Sequence, residues 1–153
     1  MKIIKYILLI IFILPSSCGY KAINNLNSFD FFINEYEFKG DKKINYILEK
    51  NFKRFQFNEN SETNFKIISE SKKNISVVTK DTKGEVSSYN IKVSVKIETF
   101  KDQMLIDSII FEKNTNYDNL NSKFELKQYE NILLKDLIDD IVIKINNHLN
   151  TLS

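Results

Sequence analysis

The chain has 153 residues, among them 22 basic, 20 acidic, a single cysteine, one proline and three glycines. That length suits one domain rather than two, and a lone cysteine excludes an internal disulfide brace. Lys2 and Lys5 are the only charged residues before Cys18, so removing them leaves 20 basic residues against 20 acidic ones in the remainder. A neutral remainder argues against nucleic acid as a partner.

The N-terminus comes first in chain order and is the most specific signal. Lys2 and Lys5 precede nine apolar residues, 6–14, followed by Pro15-Ser16-Ser17-Cys18-Gly19. A basic start, a short apolar core and small residues before a processing point describe an export signal. The run is too short to span a bilayer, which takes about 20 residues. A bacterial lipoprotein signal, 1–17, explains both its shortness and the isolated cysteine. Cleavage before Cys18 exposes its amine and thiol to acylation, and several acyl chains make a stable anchor. The alternative is an ordinary signal or short anchor helix with a free cysteine. Residues 18–30 then read as the lipidated cysteine and an irregular tether, and 31–153 as a single domain.

Residues 31–38 predict a first strand, with Phe32, Asn34, Tyr36 and Phe38 on one face. Gly40-Asp41 breaks it, and Asp41 can cap a helix. Ile44, Ile47, Leu48, Phe52 and Phe55 recur at helical spacing over 41–57, with lysines on the remaining surface. Residues 65–68 start a strand that 75–79 continues or replaces. Asp81-Thr82-Lys83-Gly84 predicts a hairpin turn. Tyr89, Ile91, Val93, Val95 and Ile97 then alternate with Asn90, Lys92, Ser94, Lys96 and Glu98, the clearest strand in the chain. A turn at 100–103 leads to a last strand, 104–117, carrying Leu105, Ile109, Phe111 and Tyr117. Ser122 and Glu125 have capping-box spacing. After them Leu126, Tyr129, Leu133, Leu137, Ile141, Ile145 and Leu149 form an apolar stripe, widened by Leu134, Ile138 and Val142. The predicted fold is α+β: two helices on one face of a four-stranded, largely antiparallel sheet whose other face is exposed.

Catalytic chemistry is not visible in this pattern. His148, the sole histidine, is explained by favourable contact with the last carbonyls of its helix. Asp136, Asp139 and Asp140 share that helix but have no histidine or cysteine to complete a metal set. No catalytic residue, metal or cofactor is therefore expected, and Asn74-Ile75-Ser76 matches a glycosylation sequon only as a string. Phe29, Phe31 and Phe32 beside the tether read as an edge strand under the last helix, or else as a contact with lipid or a membrane protein. Lys92 and Lys96 project from one strand face with Ser94 between them and can reach phosphates of an amphipathic lipid. A solvated face is the simpler explanation from spacing alone, and Glu98 partly neutralises the patch.

The chain resembles the LPS-assembly lipoprotein (LptE) family. The likeness lies in Cys18-Gly19-Tyr20, in the central strands 86–100 and 104–117, and in the segment 125–141. There Glu130, Leu133, Leu134, Asp140 and Ile141 fall into the family pattern. The resemblance implies a two-helix, four-stranded sandwich tethered to the periplasmic leaflet of the outer membrane. It also implies a plug in the LPS-export barrel protein LptD that assists its assembly and binds lipopolysaccharide. Basic residues of a central strand are the family's suspected lipid contacts, here Lys92 and Lys96. Two other readings remain: a periplasm-facing carrier of a small amphiphile, and a structural subunit of an envelope complex.

Overall fold

A computed structural model describes residues 31–53, 61 and 63–153. The leader, Cys18, the tether, Phe29 and Phe55 lie outside them. Strand β1 spans Phe31–Gly40, helix α1 Lys42–Phe52, strand β2 Thr63–Lys80, strand β3 Val86–Lys101, strand β4 Met104–Asp118 and helix α2 Lys123–Leu152. The strands form one sheet in the order β1-β2-β3-β4. β2, β3 and β4 are an antiparallel meander, whereas β1 pairs parallel to β2. A parallel pair needs a crossover connection, and α1 lies within it.

The period-2 pattern of β3 decides which face is covered. Ile91, Val93, Val95 and Ile97 are buried to within 1 %. They meet the apolar stripe of α2, where Leu134, Ile138, Ile141, Ile145 and Leu149 are equally inaccessible. α2 lies over β3 and β4, α1 over β1 and β2, and the helices touch each other. The predicted architecture is present, with both helices on one face. Residues that looked like the margin of the α2 stripe, Leu134, Ile138 and Val142, lie in its middle, while Tyr129 is 40 % exposed. Ser122 Oγ starts the helix by accepting from the Glu125 amide at 3.3 Å.

One alternative left open by the sequence is settled, and two local features differ from the sequence reading. β2 is continuous: Ser69 and Ser71 face the core side, fully buried, and hydroxyls this small let the strand pass beneath the helices. The single face expected for Phe32, Asn34, Tyr36 and Phe38 is broken. The register shifts between Ile33 and Glu35, so Phe31 and Ile33 are buried below the bulge and Tyr36 and Phe38 pack on the core above it. An extra residue reverses the alternation. In β4, Leu105 shares the parity of Ile109, Phe111 and Tyr117 in sequence, yet the register shift beside Phe100 leaves it 54 % exposed.

The β1–α1 junction admits little variation. Gly40 has φ +96°, and a Cβ there would meet the Ser71 carbonyl oxygen at 2.0 Å. Immediately after it, the Asp41 amide donates to that same carbonyl. Asp41 Oδ1 accepts from the amides of Lys43 and Ile44 at 2.9 and 3.1 Å, the predicted N-cap. Ser71 Oγ donates to Asn45 Oδ1 at 2.6 Å, which ties α1 to β2.

A polar link fastens the N-terminal part of α2. Tyr117 donates to Glu130 Oε1 at 2.9 Å, and Lys127 reaches the other carboxylate oxygen at 3.3 Å. Burial, and then the hydrogen bond to Glu130, raises the Tyr117 pKa above its ordinary 10.0. The unfolded phenol ionises near pH 10 and the folded one above it. This contribution is therefore complete below pH 10 and is lost as pH rises further. Tyr117→Phe should cost about 2 kcal/mol at neutral pH, the range for a hydrogen bond to a charged group. It should also flatten the decline in stability above pH 10. Denaturant unfolding of both proteins across that range measures the two effects, and parallel alkaline slopes would refute the assignment.

Candidate functional site

The face of the sheet without helices carries the candidate residues Lys92 and Lys96. Its rows run straight across the strands. Glu35, Lys66, Phe100 and Leu105 form one; Glu37, Ile68, Glu98 and Ser108 the next; Lys39, Glu70, Lys96 and Ile110 the third. Further along β3 come Ser94 beside Glu112, Lys92 between Asn74 and Asn114, and Asn90 between Ser76 and Asn116. The face is thus charged toward the β3–β4 turn and rich in amides and hydroxyls toward the β2–β3 hairpin. Asn90 Nδ2 donates to Asn116 Oδ1 at 2.7 Å in the second region.

Lys92 and Lys96 lie on this face, with Ser94 between them, as the alternation requires. Their side chains are 42 and 39 % exposed, and each is paired. Lys92 Nζ is 2.8 Å from Glu112 Oε2, and Lys96 Nζ donates to Glu98 Oε1 at 2.5 Å. The hydrogen bond to Glu98 raises the Lys96 pKa, and Lys92 correspondingly lowers that of Glu112. Other pairs repeat the motif: Glu35 with Lys66 at 3.1 Å, Glu37 with Lys39 at 3.3 Å and Glu70 with Lys72 at 3.0 Å. Each named lysine therefore has a glutamate, and the patch is locally neutral. The sequence alone gave Glu98 on the same face; Glu112 became a partner only through the β3–β4 register. An open depression of about 190 Å³ lies among Lys39, Ile68, Glu70, Lys96 and Glu98.

The remaining candidates fall elsewhere. His148 does not turn to the end of its own helix, as the sequence suggested. Its Nε2 lies 2.8 Å from Asp107 Oδ2 on β4 and its ring packs edge-on against Phe111, so it joins helix to sheet. Asp140 pairs with Lys113 at 2.9 Å and Asp139 with Lys135 at 2.7 Å. Among the described residues no three His, Cys, Asp or Glu side chains come together as a metal set. Cys18 lies outside the described residues. Phe31 is in the core on the edge strand β1, packed against Phe65 at 5.8 Å between ring centroids; α1 covers that strand, where the sequence suggested the last helix.

No family model matches the sequence, and no curated protein matches it at a significant level. Solved structures do match the fold. The rare lipoprotein B of Shewanella oneidensis superposes with a TM-score of 0.60 at 11 % identity, over 77 % of this chain and 95 % of its own. An uncharacterized lipoprotein B from Nitrosomonas europaea gives 0.58 at 14 %, over 82 and 88 %. A minor lipoprotein from Acinetobacter baumannii gives 0.56 at 11 %, over 81 and 92 %. The chain shares its fold with these bacterial lipoproteins.

Lys92 and Lys96 are partly exposed and lie outside the packed layer, and exposed ion pairs contribute little to folding. The joint replacement Lys92→Gln, Lys96→Gln should leave the thermal melting curve where the parent has it. A cooperative unfolding transition clearly displaced downward would instead make the pairs part of the fold.

Proposed function

We propose that this chain is a non-enzymatic lipoprotein of the LptE type. It is anchored through Cys18 in the periplasmic leaflet of the outer membrane, where it plugs the LPS-export barrel and helps it assemble. The carrying observation is the fold held in common with bacterial lipoproteins from three organisms over most of both chains, joined to the lipoprotein-type start ending at Cys18. A locally neutral, hydrogen-bonding face suits a polar barrel lumen. The depression on that face, about 190 Å³, is smaller than the ~300 Å³ at which ligand cavities begin.

Lys92 and Lys96 are proposed contacts for lipopolysaccharide phosphates, to be made by exchanging Glu112 and Glu98 for the ligand. In the folded double glutamine variant, binding to lipopolysaccharide should fall, with a weaker dependence on salt. Unchanged binding would remove both residues from the site.

The partner reading is tested by affinity isolation of the tagged full chain from solubilised outer membranes. A large β-barrel protein should be recovered in stoichiometric amount; recovery of the chain alone would overturn the plug. The anchor is tested by mass spectrometry of the mature N-terminal peptide, which should begin at an acylated Cys18. A peptide that is unmodified and continues upstream of Cys18 would contradict it.

A further inference from the structure

We infer that the turn joining β3 to β4 is a second membrane contact, its apolar residues resting in the phospholipid interface beside the anchored N-terminus. This rests on the Cys18 anchor reading but concerns a different part of the molecule. Met104, Leu105 and Ile106 follow one another in sequence and are 68, 54 and 42 % exposed. Consecutive residues of a strand point to opposite faces, so a core could claim at most part of such a run. Here it claims none. Thr99 pairs with Asp107 and Phe100 with Leu105, which leaves Ile106 as an unpaired bulge residue. The turn itself is tight, with Asp102 and Gln103 at φ 51° and 67°. It holds the three apolar side chains at the start of β4, directly behind the polar apex formed by Asp102 and Gln103.

Topology puts that end where the chain enters the sheet. The row Glu35, Lys66, Phe100, Leu105 crosses all four strands, and β1 begins only four residues before it, at Phe31. Twelve residues, 19–30, separate Cys18 from Phe31, a reach of at most about 47 Å even when fully extended. A lipid on Cys18 and the β3–β4 tip can therefore address the same bilayer surface. The hairpin at the opposite end, Asp81-Thr82-Lys83-Gly84-Glu85, is polar. Lys101, half-buried beside the apolar residues, is placed to meet lipid phosphates.

The size of the patch selects its occupant. A stable protein interface takes about 20–30 residues a side, and three adjacent side chains do not make one. A bilayer asks less, because a covalent anchor keeps the local concentration of membrane high and a weak interfacial contact then suffices. The contact would fix the orientation of the sheet relative to the membrane, which a tether alone leaves free.

The test uses the full, lipidated chain in vesicles of phosphatidylethanolamine and phosphatidylglycerol. Met104→Cys carries an environment-sensitive fluorophore; acylation leaves Cys18 no free thiol to compete. Lys83→Cys, on the polar hairpin, is the control. Spin-labelled phospholipid should quench the label at 104 several-fold more than the label at 83. Adding Leu105→Gln and Ile106→Gln to the labelled chain should remove most of that difference, with the melting curve unchanged. A chain that floats with the vesicles but is quenched equally at both positions overturns the contact alone. A chain that does not float with the vesicles overturns the anchor and the contact together.

Discussion

Only one face of the sheet is apolar, and the rest of the architecture follows from that asymmetry. In β3 the residues with odd numbers from 91 to 97 are aliphatic, and the even ones are Lys, Ser, Lys and Glu. A strand cannot rotate to hide both sets, since the period of two is fixed by backbone geometry. Whatever covers Ile91, Val93, Val95 and Ile97 must therefore come from one side. α2 supplies Ile138, Ile141 and Ile145 against them, and α1 adds Ile44, Leu48 and Phe52 over the neighbouring strands. Truncating a fully buried member of this set such as Ile138 to alanine falls in the class that costs roughly 2–5 kcal/mol. Two helices on one side leave the other side to solvent or a partner, and so the charged face results from how the core is built.

The same constraint explains why β1 needs a bulge. β1 pairs parallel to β2 and must present apolar residues at both its beginning and its end, beneath different parts of the helical layer. Its sequence places them at Phe31 and Ile33, then at Tyr36 and Phe38, which are out of phase by one residue. The shift between Ile33 and Glu35 absorbs that residue. The price is a local break in the ladder; the return is four aromatic or aliphatic side chains on the core side. Gly40 then closes the strand where the chain passes so near the Ser71 carbonyl that no side chain fits.

How much of this is legible in sequence depends on whether the signal is local. The alternation in β3, the Asp41 and Ser122 caps and the stripe of α2 are written within a few residues of where they act. What the sequence could not carry was registration between distant segments. Whether one strand ran through Ser69–Asn74 stayed open because that stretch is polar throughout. In the sheet, β3 hydrogen-bonds to that stretch throughout, and the small hydroxyls of Ser69 and Ser71 fit beneath the helices. Likewise His148 was assigned to its own helix end because nothing in its neighbourhood names Asp107, 41 residues away. At the site, the shared face of Lys92 and Lys96 was readable, whereas the Lys92–Glu112 pairing required the β3–β4 register. The anchor rests on sequence alone.

Pairing of the lysines bears on what kind of binding such a face can support. A patch in which each lysine faces a glutamate has little long-range potential, because opposite charges a few ångströms apart cancel well within a Debye length of about 8 Å. Recognition there depends on contact geometry rather than on electrostatic capture from a distance. Exposed pairs are held weakly, so a phosphate could displace Glu98 from Lys96 or Glu112 from Lys92. The displaced carboxylate would remain on the same face, close enough to repel the phosphate that replaced it. Affinity for an anionic lipid would then be limited by a competitor built into the sheet. On the proposed reading, Glu98 and Glu112 would therefore influence any such contact alongside the lysines.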